Sequence, residues 1–321
     1  MGSLRFELRS EGFSNFRKPF VRLHAQRASR TSDLWRRDVQ STSFTTKLDY
    51  EPYRKTFFDY KLININCIMT TPRSKTQRKH ISIQSGNMKL DGTIFYPVHK
   101  KTKNPTILFV HGWTSERKRS FQYATALSKL GYICLLFDMR GHGTSEGDIN
   151  KLTPKEFLDD VLTAYDYLLG VDEVDEKNIS TIGSSFGGYL VSILSAKRKI
   201  KNLVLRAPAD YPNETFDKLK AKSSGNNPEI MTWRSKSKQP NESYALNAVH
   251  KFKGSIFIIE SEKDDSIPHQ TIMNYVNAVK NRNKLTHIIM KGAPHSIKEG
   301  KFRDEVERVL VKWLSPQPNH T

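Results

Sequence analysis

The chain has 321 residues, of which 37% are hydrophobic and 26% charged, and its mean hydropathy is −0.59. This length suits one large α/β domain, or two small domains with a tail. No stretch approaches 18 consecutive apolar residues, so no membrane-spanning helix is expected. Two cysteines, Cys67 and Cys134, are too few for a disulfide framework or a cysteine-rich metal site. The net charge of +19 favours loose attraction to polyanions but does not bear on the fold.

The first 46 residues differ in composition from the rest. Eight of their nine Lys and Arg residues are arginines, separated by serines and threonines, and no apolar segment of the secretory-signal type is present. Three interpretations stay open: an organelle-targeting segment, a basic arm that weakly attracts a polyanion, or a poorly ordered, solvated tail. We expect no specific nucleic-acid partner and a cytoplasmic location, with organelle targeting as the alternative. Residues 47–78 form a transitional segment.

A regular pattern begins near residue 79. Residues 80–84 and 89–96 predict a β-hairpin around Gly86. After the hairpin, short apolar runs alternate with amphipathic helical stretches. The runs span residues 106–110, 132–137, 179–182, 203–205, 255–259 and 287–290, and the helical stretches span 120–130, 154–169, 186–198, 270–280 and 302–314. This alternation predicts an α/β fold with a parallel sheet covered on both faces.

Residues 211–250 interrupt the alternation. The segment is too long for an ordinary connection between a strand and the next element. Its aromatic and apolar residues, among them Tyr211, Phe216, Met231 and Trp233, favour an inserted lid that packs over another surface. An irregular surface excursion is the alternative. A helical stretch is expected to end near His250.

A nucleophile motif stands between a predicted strand and a predicted helix. Residues 183–187 read Gly-Ser-Ser-Phe-Gly, the pattern of a serine held on a sharp strand-to-helix turn. Ser185 is therefore the candidate nucleophile, and Ser184 lies one position too early. The His111-Gly112-Trp113 segment follows another predicted strand, so the backbone N–H groups of Trp113 and Phe186 are the expected oxyanion hole.

An acid and a base are expected later in the chain. Asp264 and Asp265 both follow the strand at 255–259, and the spacing to Ile267-Pro268 favours Asp264. His295 follows the last predicted strand and is the expected general base, oriented by Asp264. The loop at residues 138–147 is expected to be structural, with Asp138 and Arg140 bracing neighbouring loops, and His142 is not the expected base.

Together these motifs resemble the α/β-hydrolase family of serine hydrolases over residues 79–315, with 316–321 as a tail. The resemblance implies an eight-stranded, mostly parallel sheet with helices on both faces and a short inserted cap, here at about 211–250. It also implies an acyl-enzyme mechanism with a Ser185–His295–Asp264 triad and with no metal or organic cofactor. A single Gly-X oxyanion loop resembles esterases, thioesterases and acyl-peptidase relatives.

Three functional hypotheses follow. The leading one is a carboxylic ester hydrolase that acts on a small-molecule ester of small to medium acyl chain. The second is a peptidase or acyl-aminoacyl hydrolase that uses the same triad on a peptide-like substrate. A third, from another class, is a non-catalytic binding protein on a hydrolase scaffold.

Overall fold

The computed structural model describes residues 76–223 and 227–315. The basic segment predicted at 1–46, nearly all of the transitional segment at 47–78, and the tail at 316–321 lie outside the described residues. The predictions for those segments therefore stay predictions. No helix within the described ranges is long and apolar enough to cross a membrane.

The first two strands form the predicted hairpin. Strand β1 (Gln77–Ser85) pairs antiparallel with β2 (Met88–Tyr96), and Ser85 lies opposite Met88. The two-residue turn between them places Gly86 at φ +58°, a left-handed conformation that favours glycine. Strand β1 begins two residues before the predicted domain start, so the folded part includes the end of the transitional segment.

Each predicted apolar run lies in one of the remaining strands. These are β3 (Asn104–Val110), β4 (Ile133–Phe137), β5 (Val174–Ser184), β6 (Asn202–Arg206), β7 (Ser255–Lys263) and β8 (Leu285–Pro294). The eight strands form one sheet in the order β1-β2-β4-β3-β5-β6-β7-β8. Strand β2 runs antiparallel to both neighbours, and the pairs from β4 to β8 are parallel. The prediction of a mostly parallel eight-stranded sheet is confirmed.

Seven α-helices occur in the described residues. They are α1 (Phe121–Lys129), α2 (Pro154–Leu169), α3 (Phe186–Leu194), α4 (Pro228–Arg234), α5 (Tyr244–Lys251), α6 (His269–Ala278) and α7 (Lys301–Leu314). Helix α2 begins with a capping box, in which the Thr153 side chain accepts from Glu156 N–H and the Glu156 carboxylate accepts from Thr153 N–H. Such a cap satisfies two donors that the first turn leaves unpaired.

Two apolar layers cover the two faces of the sheet. Helices α1 and α7 pack on one face, where Ala124, Leu127 and Leu310 are buried, and α2, α3, α5 and α6 pack on the other. Successive residues of β3 point to opposite layers, Ile107 to the first and Leu108 to the second. Helices on both faces are confirmed, and they explain why the strand sequences are apolar almost throughout.

The insertion, residues 211–250, leaves the sheet after β6 and returns before β7. It holds α4, most of α5 and short 3₁₀ turns, and the helix expected to end near His250 is α5. Ile230 and Arg234 of α4 are buried, and Arg234 donates to Asp210 O at 3.2 Å and to Ser266 O at 3.0 Å. The insertion is therefore packed against the domain.

Candidate active site

Ser185 lies at the junction of β5 and α3, with the backbone at φ 53° and ψ −118°. This conformation costs a residue with a side chain roughly 1–3 kcal/mol, and it persists because the surroundings hold it. Ser185 N–H donates to Arg206 O at 2.9 Å, and Ser185 O accepts from Ala209 N–H at 3.0 Å. The turn is thus tied to the neighbouring strand and directs the Ser185 side chain to the carboxyl edge of the sheet.

Glycines around Ser185 permit close backbone approach. A Cβ atom on Gly187 would lie 2.2 Å from Val110 O, and one on Gly183 would lie 2.5 Å from Gly187 O. A Cβ on Gly112 would lie 3.3 Å from the Cβ of Ser185. Helix α3 can therefore begin against the end of β3 only because these positions carry no side chain.

The three residues predicted as nucleophile, base and acid lie in hydrogen-bonding contact. Ser185 Oγ is 3.1 Å from His295 Nε2, and His295 Nδ1 is 2.7 Å from Asp264 Oδ2. Since the carboxylate accepts from Nδ1–H, Nε2 is free to accept the Ser185 proton. The His295 side chain is 19% exposed and that of Asp264 is 4% exposed. The base is thus accessible, whereas the acid is shielded.

The structure distinguishes between the two neighbouring aspartates. Asp264 Oδ1 accepts from Ser266 N–H at 2.9 Å and from Ile267 N–H at 2.7 Å, which leaves Oδ2 for His295. Asp265 is exposed, and its carboxylate accepts from the Ser266 hydroxyl. The carboxylate in contact with His295 is therefore that of Asp264.

The backbone N–H groups of Trp113 and Phe186 are unpaired donors on the two sides of Ser185. Neither donates to another group in the described part of the chain. Phe186 is the first residue of α3, where the helix dipole favours negative charge. Within the described residues, the two donors predicted as the oxyanion hole are thus available to a ligand.

His111 orients the Gly112–Trp113 peptide, a contact that the sequence analysis did not identify. Met139 N–H donates to His111 Nε2 at 3.1 Å, so Nδ1 carries the proton and donates to Gly112 O at 2.8 Å. Because the C=O and N–H of a trans peptide point in opposite directions, this bond turns the Trp113 N–H away from His111. Burial lowers the pKa of His111 to about 3 and keeps it neutral.

The loop at 138–147 braces its surroundings, as expected from the sequence. Asp138 accepts from the Arg117 guanidinium and from Arg117 N–H, and Arg140 donates to Asp160 at 2.6 Å. His142 is 4% exposed, accepts from a backbone N–H at Nε2, and has its pKa lowered by burial. Its ring nitrogens serve the loop and are not in contact with Ser185.

Lys220 of the insertion packs against Trp113 and Phe186, a second contact that the sequence analysis did not predict. The residue is 0% exposed, and its Nζ lies 4.6, 5.1 and 4.8 Å from the ring centroids of Trp113, Phe186 and Tyr211. Nζ also donates to Ser223 O at 3.1 Å. Burial lowers the pKa of Lys220, and contact with three aromatic rings offsets part of the cost of burying the cation.

A cavity of about 360 Å³ opens beside Ser185. Its walls come from the end of β3, from α1 and α7, and from the loop that carries His295. No described residue of the insertion lines it. The insertion instead packs through Lys220 against the ring of Trp113. Among residues 76–223 and 227–315, no group of three or more His, Cys, Asp or Glu side chains is arranged to hold a metal ion.

Comparisons with known proteins concern the family and the fold of the chain. The prolyl oligopeptidase family matches residues 118–320. An uncharacterized protein from Mycobacterium tuberculosis is 31% identical over 128 residues, which are 40% of this chain and 44% of that protein. The chain thus matches less than half the length of this relative. The mitochondrial palmitoyl-protein thioesterase ABHD10 from Pongo abelii is 25% identical over 219 residues, covering 62% of this chain and 69% of the thioesterase.

Among solved structures, Est1E from Butyrivibrio proteoclasticus with bound ferulic acid has a similar fold. The TM-score is 0.57 at 19% sequence identity, and the alignment covers 73% of this chain and 97% of Est1E. At this identity the likeness concerns the fold. The aligned share matches the extent of the sheet and helices described above.

Proposed function

Because the chain belongs to the prolyl oligopeptidase family and has the α/β-hydrolase fold, we propose that it is a serine hydrolase that cleaves carboxylic esters of small to medium acyl chain length. One observation carries the proposal: the hydrogen-bonded series Ser185 Oγ, His295 and Asp264 Oδ2, with distances of 3.1 and 2.7 Å. A serine in contact with a neutral imidazole that a carboxylate orients is the arrangement for acyl transfer.

In the proposed reaction, Ser185 Oγ attacks the acyl carbonyl carbon and its proton passes to His295 Nε2. The Trp113 and Phe186 N–H groups stabilise the oxyanion, and a donor of this kind typically contributes about 10²–10³-fold in turnover. The ester C–O bond then breaks, and protonated His295 gives its proton to the leaving alcohol. Water attacks the acyl-enzyme with His295 again as base, which releases the carboxylic acid and restores the Ser185 hydroxyl.

The lining of the cavity supports an acyl ester as substrate. Val110, Ile182, Ile259, Val306 and Leu310 supply apolar wall, which suits an acyl chain. No Asp or Glu side chain lines the cavity. A pocket that recognises the free amino terminus of a peptide needs such a carboxylate, and its absence from the described lining favours esters over peptides of that type.

Peptidase activity is the second candidate because the matching family is that of prolyl oligopeptidases. The triad serves amides as well as esters. A substrate panel separates the two: 4-nitrophenyl butyrate, the thioester S-butanoyl-N-acetylcysteamine, and N-acetylalanine methyl ester beside N-acetylalanine amide. We expect the methyl ester to be cleaved with kcat/KM at least about 100-fold above that of the amide. Turnover of the amide within about tenfold of the ester would favour the peptidase.

The choice of acid is tested with a matched pair of variants. Asp264→Asn should lower kcat for 4-nitrophenyl butyrate by about 10³–10⁴-fold, because the amide no longer stabilises the imidazolium or holds the required tautomer. Asp265→Asn should change kcat less than about twofold, since Asp265 is exposed and does not touch His295. Equal losses in both variants would contradict the assignment of Asp264, and no loss in either would mean that neither aspartate supports catalysis by His295.

A further inference from the structure

Three cationic side chains line the cavity beside Ser185, and no acidic one does. They are Arg119, Arg206 and Lys298. None of the three forms an ion pair within the described ranges, although thirteen other residues of these ranges with basic side chains lie within 4.0 Å of a carboxylate. The lining of this cavity therefore carries positive charge that no carboxylate among the described residues neutralises by direct contact.

Arg206 is the central member of this group. It is the last residue of β6, beside the Ser184–Ser185 turn, and it is partly buried. Its Nη2 donates to Ser261 Oγ and Pro294 O at 3.1 Å each and to His295 O, while Nη1 makes one long contact of 3.4 Å with Ser184 Oγ. The Nε–H is buried without an acceptor. All the acceptors of this guanidinium are therefore neutral.

The nearest candidate carboxylate is already engaged. Asp264 binds His295 through Oδ2 and two backbone N–H groups through Oδ1. Burial lowers the pKa of Arg206, and the charge of Asp264 acts in the opposite direction without an ion-pair contact. A guanidinium stays protonated at neutral pH, so its charge is held in a partly desolvated place without a partner of its own. An anionic group of the substrate would supply that partner.

We infer that the preferred substrate carries a carboxylate on its acyl chain, which contacts Arg206 while Arg119 and Lys298 attract it at the exposed rim. This inference rests on the proposed ester hydrolase function and narrows its substrate class to monoesters of dicarboxylic acids. The apolar wall receives the methylene groups between the two carbonyl carbons. Because Arg206 lies beside Ser184, the carboxylate and the scissile ester are separated by a short chain.

Arg206 also contacts the carbonyls of Pro294 and His295, so it supports the loop that carries the base. A purely structural role predicts equal losses for neutral and anionic esters when Arg206 is replaced. Anion recognition predicts that kcat/KM for the anionic ester falls relative to kcat/KM for the neutral ester. The ratio of kcat/KM values for two esters of the same length is therefore the readout that separates the two roles.

The experiment compares mono-4-nitrophenyl glutarate with 4-nitrophenyl pentanoate, in which a methyl group replaces the carboxylate. Enzyme-free hydrolysis of each ester is subtracted. We expect wild type to favour the glutarate ester by at least tenfold in kcat/KM. Arg206→Met should bring this ratio to about 1, whereas Arg206→Lys should retain part of it. Arg282→Met is the matched control, because Arg282 donates to a backbone carbonyl, Val276 O, and does not line the cavity.

The double variant Arg119→Met with Lys298→Met tests whether these two residues attract the substrate carboxylate at the exposed rim of the cavity. Both residues are exposed, and their side chains make no hydrogen bond, ion pair or ring contact with another described residue, so folding should be unaffected. The double variant should raise KM for the glutarate ester about threefold at low salt and leave the pentanoate ester unchanged. This variant keeps the inference testable if Arg206→Met fails to fold.

Two outcomes would overturn the inference: equal or better hydrolysis of the pentanoate ester by wild type, or a glutarate preference that survives Arg206→Met. If neither ester is hydrolysed, the proposed function fails, and binding decides the inference separately. Isothermal titration of monomethyl glutarate and of the neutral methyl pentanoate into Ser185→Ala should then give binding of monomethyl glutarate alone, lost in Ser185→Ala with Arg206→Met. Equal binding of both compounds, or of neither, would overturn it.

Discussion

Buried positive charge has opposite surroundings on the two sides of Ser185. One side faces the insertion and is called the insertion side; the other faces the cavity and is called the pocket side. On the insertion side, Lys220 is enclosed by the rings of Trp113, Phe186 and Tyr211 and does not itself line the cavity. On the pocket side, Arg206 has only neutral acceptors and borders open volume. A cation that the protein itself surrounds supports the fold. A cation that borders a cavity is available to a ligand. We therefore assign structural support to the insertion side and substrate contact to the pocket side.

The largest expected effect is the loss of kcat/KM when His295 on the pocket side is replaced, compared with the replacement of His142 on the structural side. His295→Ala should lower kcat/KM for 4-nitrophenyl butyrate by at least about 10³-fold, because the general base is lost. The free energy of unfolding should change by less than about 1 kcal/mol, since the side chain is 19% exposed. Urea unfolding and initial rates measure the two effects.

His142→Ala is the counterpart on the structural side. Removing the buried ring leaves Thr114 N–H without its acceptor, so we expect a loss of about 1–3 kcal/mol in the free energy of unfolding. The loss in kcat/KM should stay below about tenfold. A His142 variant that loses as much activity as His295→Ala would break the division between the two sides.

At Lys220 the expected effect is on stability and not on activity. Lys220→Ala should lower the free energy of unfolding by about 2–4 kcal/mol, because it leaves a cavity among the three rings. Lys220→Met keeps most of the volume and removes the cost of burying a charge, so it should lower stability by less than about 1 kcal/mol. Both variants should keep KM near the wild-type value. A rise in KM with Lys220→Met would mean that the insertion side also contacts substrate.

The last expected effect is on the pH dependence of the free energy of unfolding. It concerns Asp210, the residue before the insertion. Burial raises the pKa of its carboxyl from the usual value of 3.8 to about 6, and one carboxyl oxygen has no hydrogen-bond partner. A raised pKa means that the folded state binds the proton more tightly than the unfolded state. The stability contribution is therefore fully present below pH 4 and is lost as the pH rises through about 6.

Asp210→Asn removes this titration. Relative to the variant, wild type should lose about 1–3 kcal/mol of unfolding free energy between pH 4 and pH 8, as measured by urea unfolding across that range. Asp217→Asn, at an exposed position, is the control and should leave the pH profile unchanged. Parallel profiles for wild type and Asp210→Asn would mean that the Asp210 carboxyl titrates normally.

Sequence patterns predicted the sheet well, for a physical reason. Strands buried on both faces must be apolar throughout, so the runs at 106–110 and 255–259 stand out from the amphipathic helices. Parallel strands also bring their carboxyl ends to one edge. Residues just after those ends, such as Ser185 and His295, are therefore brought together by topology.

The boundaries of the strands and the side-chain contacts around the site were harder to predict from the sequence. Strand β5 begins at Val174, five residues before the predicted run, because Val174 already pairs with Asn104. The polar residues 175–178 then form an irregularity in the pairing before Ile179 lies opposite Thr106. The contacts of Lys220 and Arg206 join segments far apart in the chain, so no local pattern encodes them. The choice between Asp264 and Asp265 likewise depends on which carboxylate the turn after β7 directs toward His295.

The central claim is that Ser185 is an activated nucleophile. Intact mass spectrometry after treatment with a fluorophosphonate tests it directly, on wild type, Ser185→Ala and Ser184→Ala. We predict one covalent adduct on wild type and on Ser184→Ala, and none on Ser185→Ala. Absence of an adduct on well-folded wild type, or an adduct that persists in Ser185→Ala and disappears in Ser184→Ala, would contradict the mechanism.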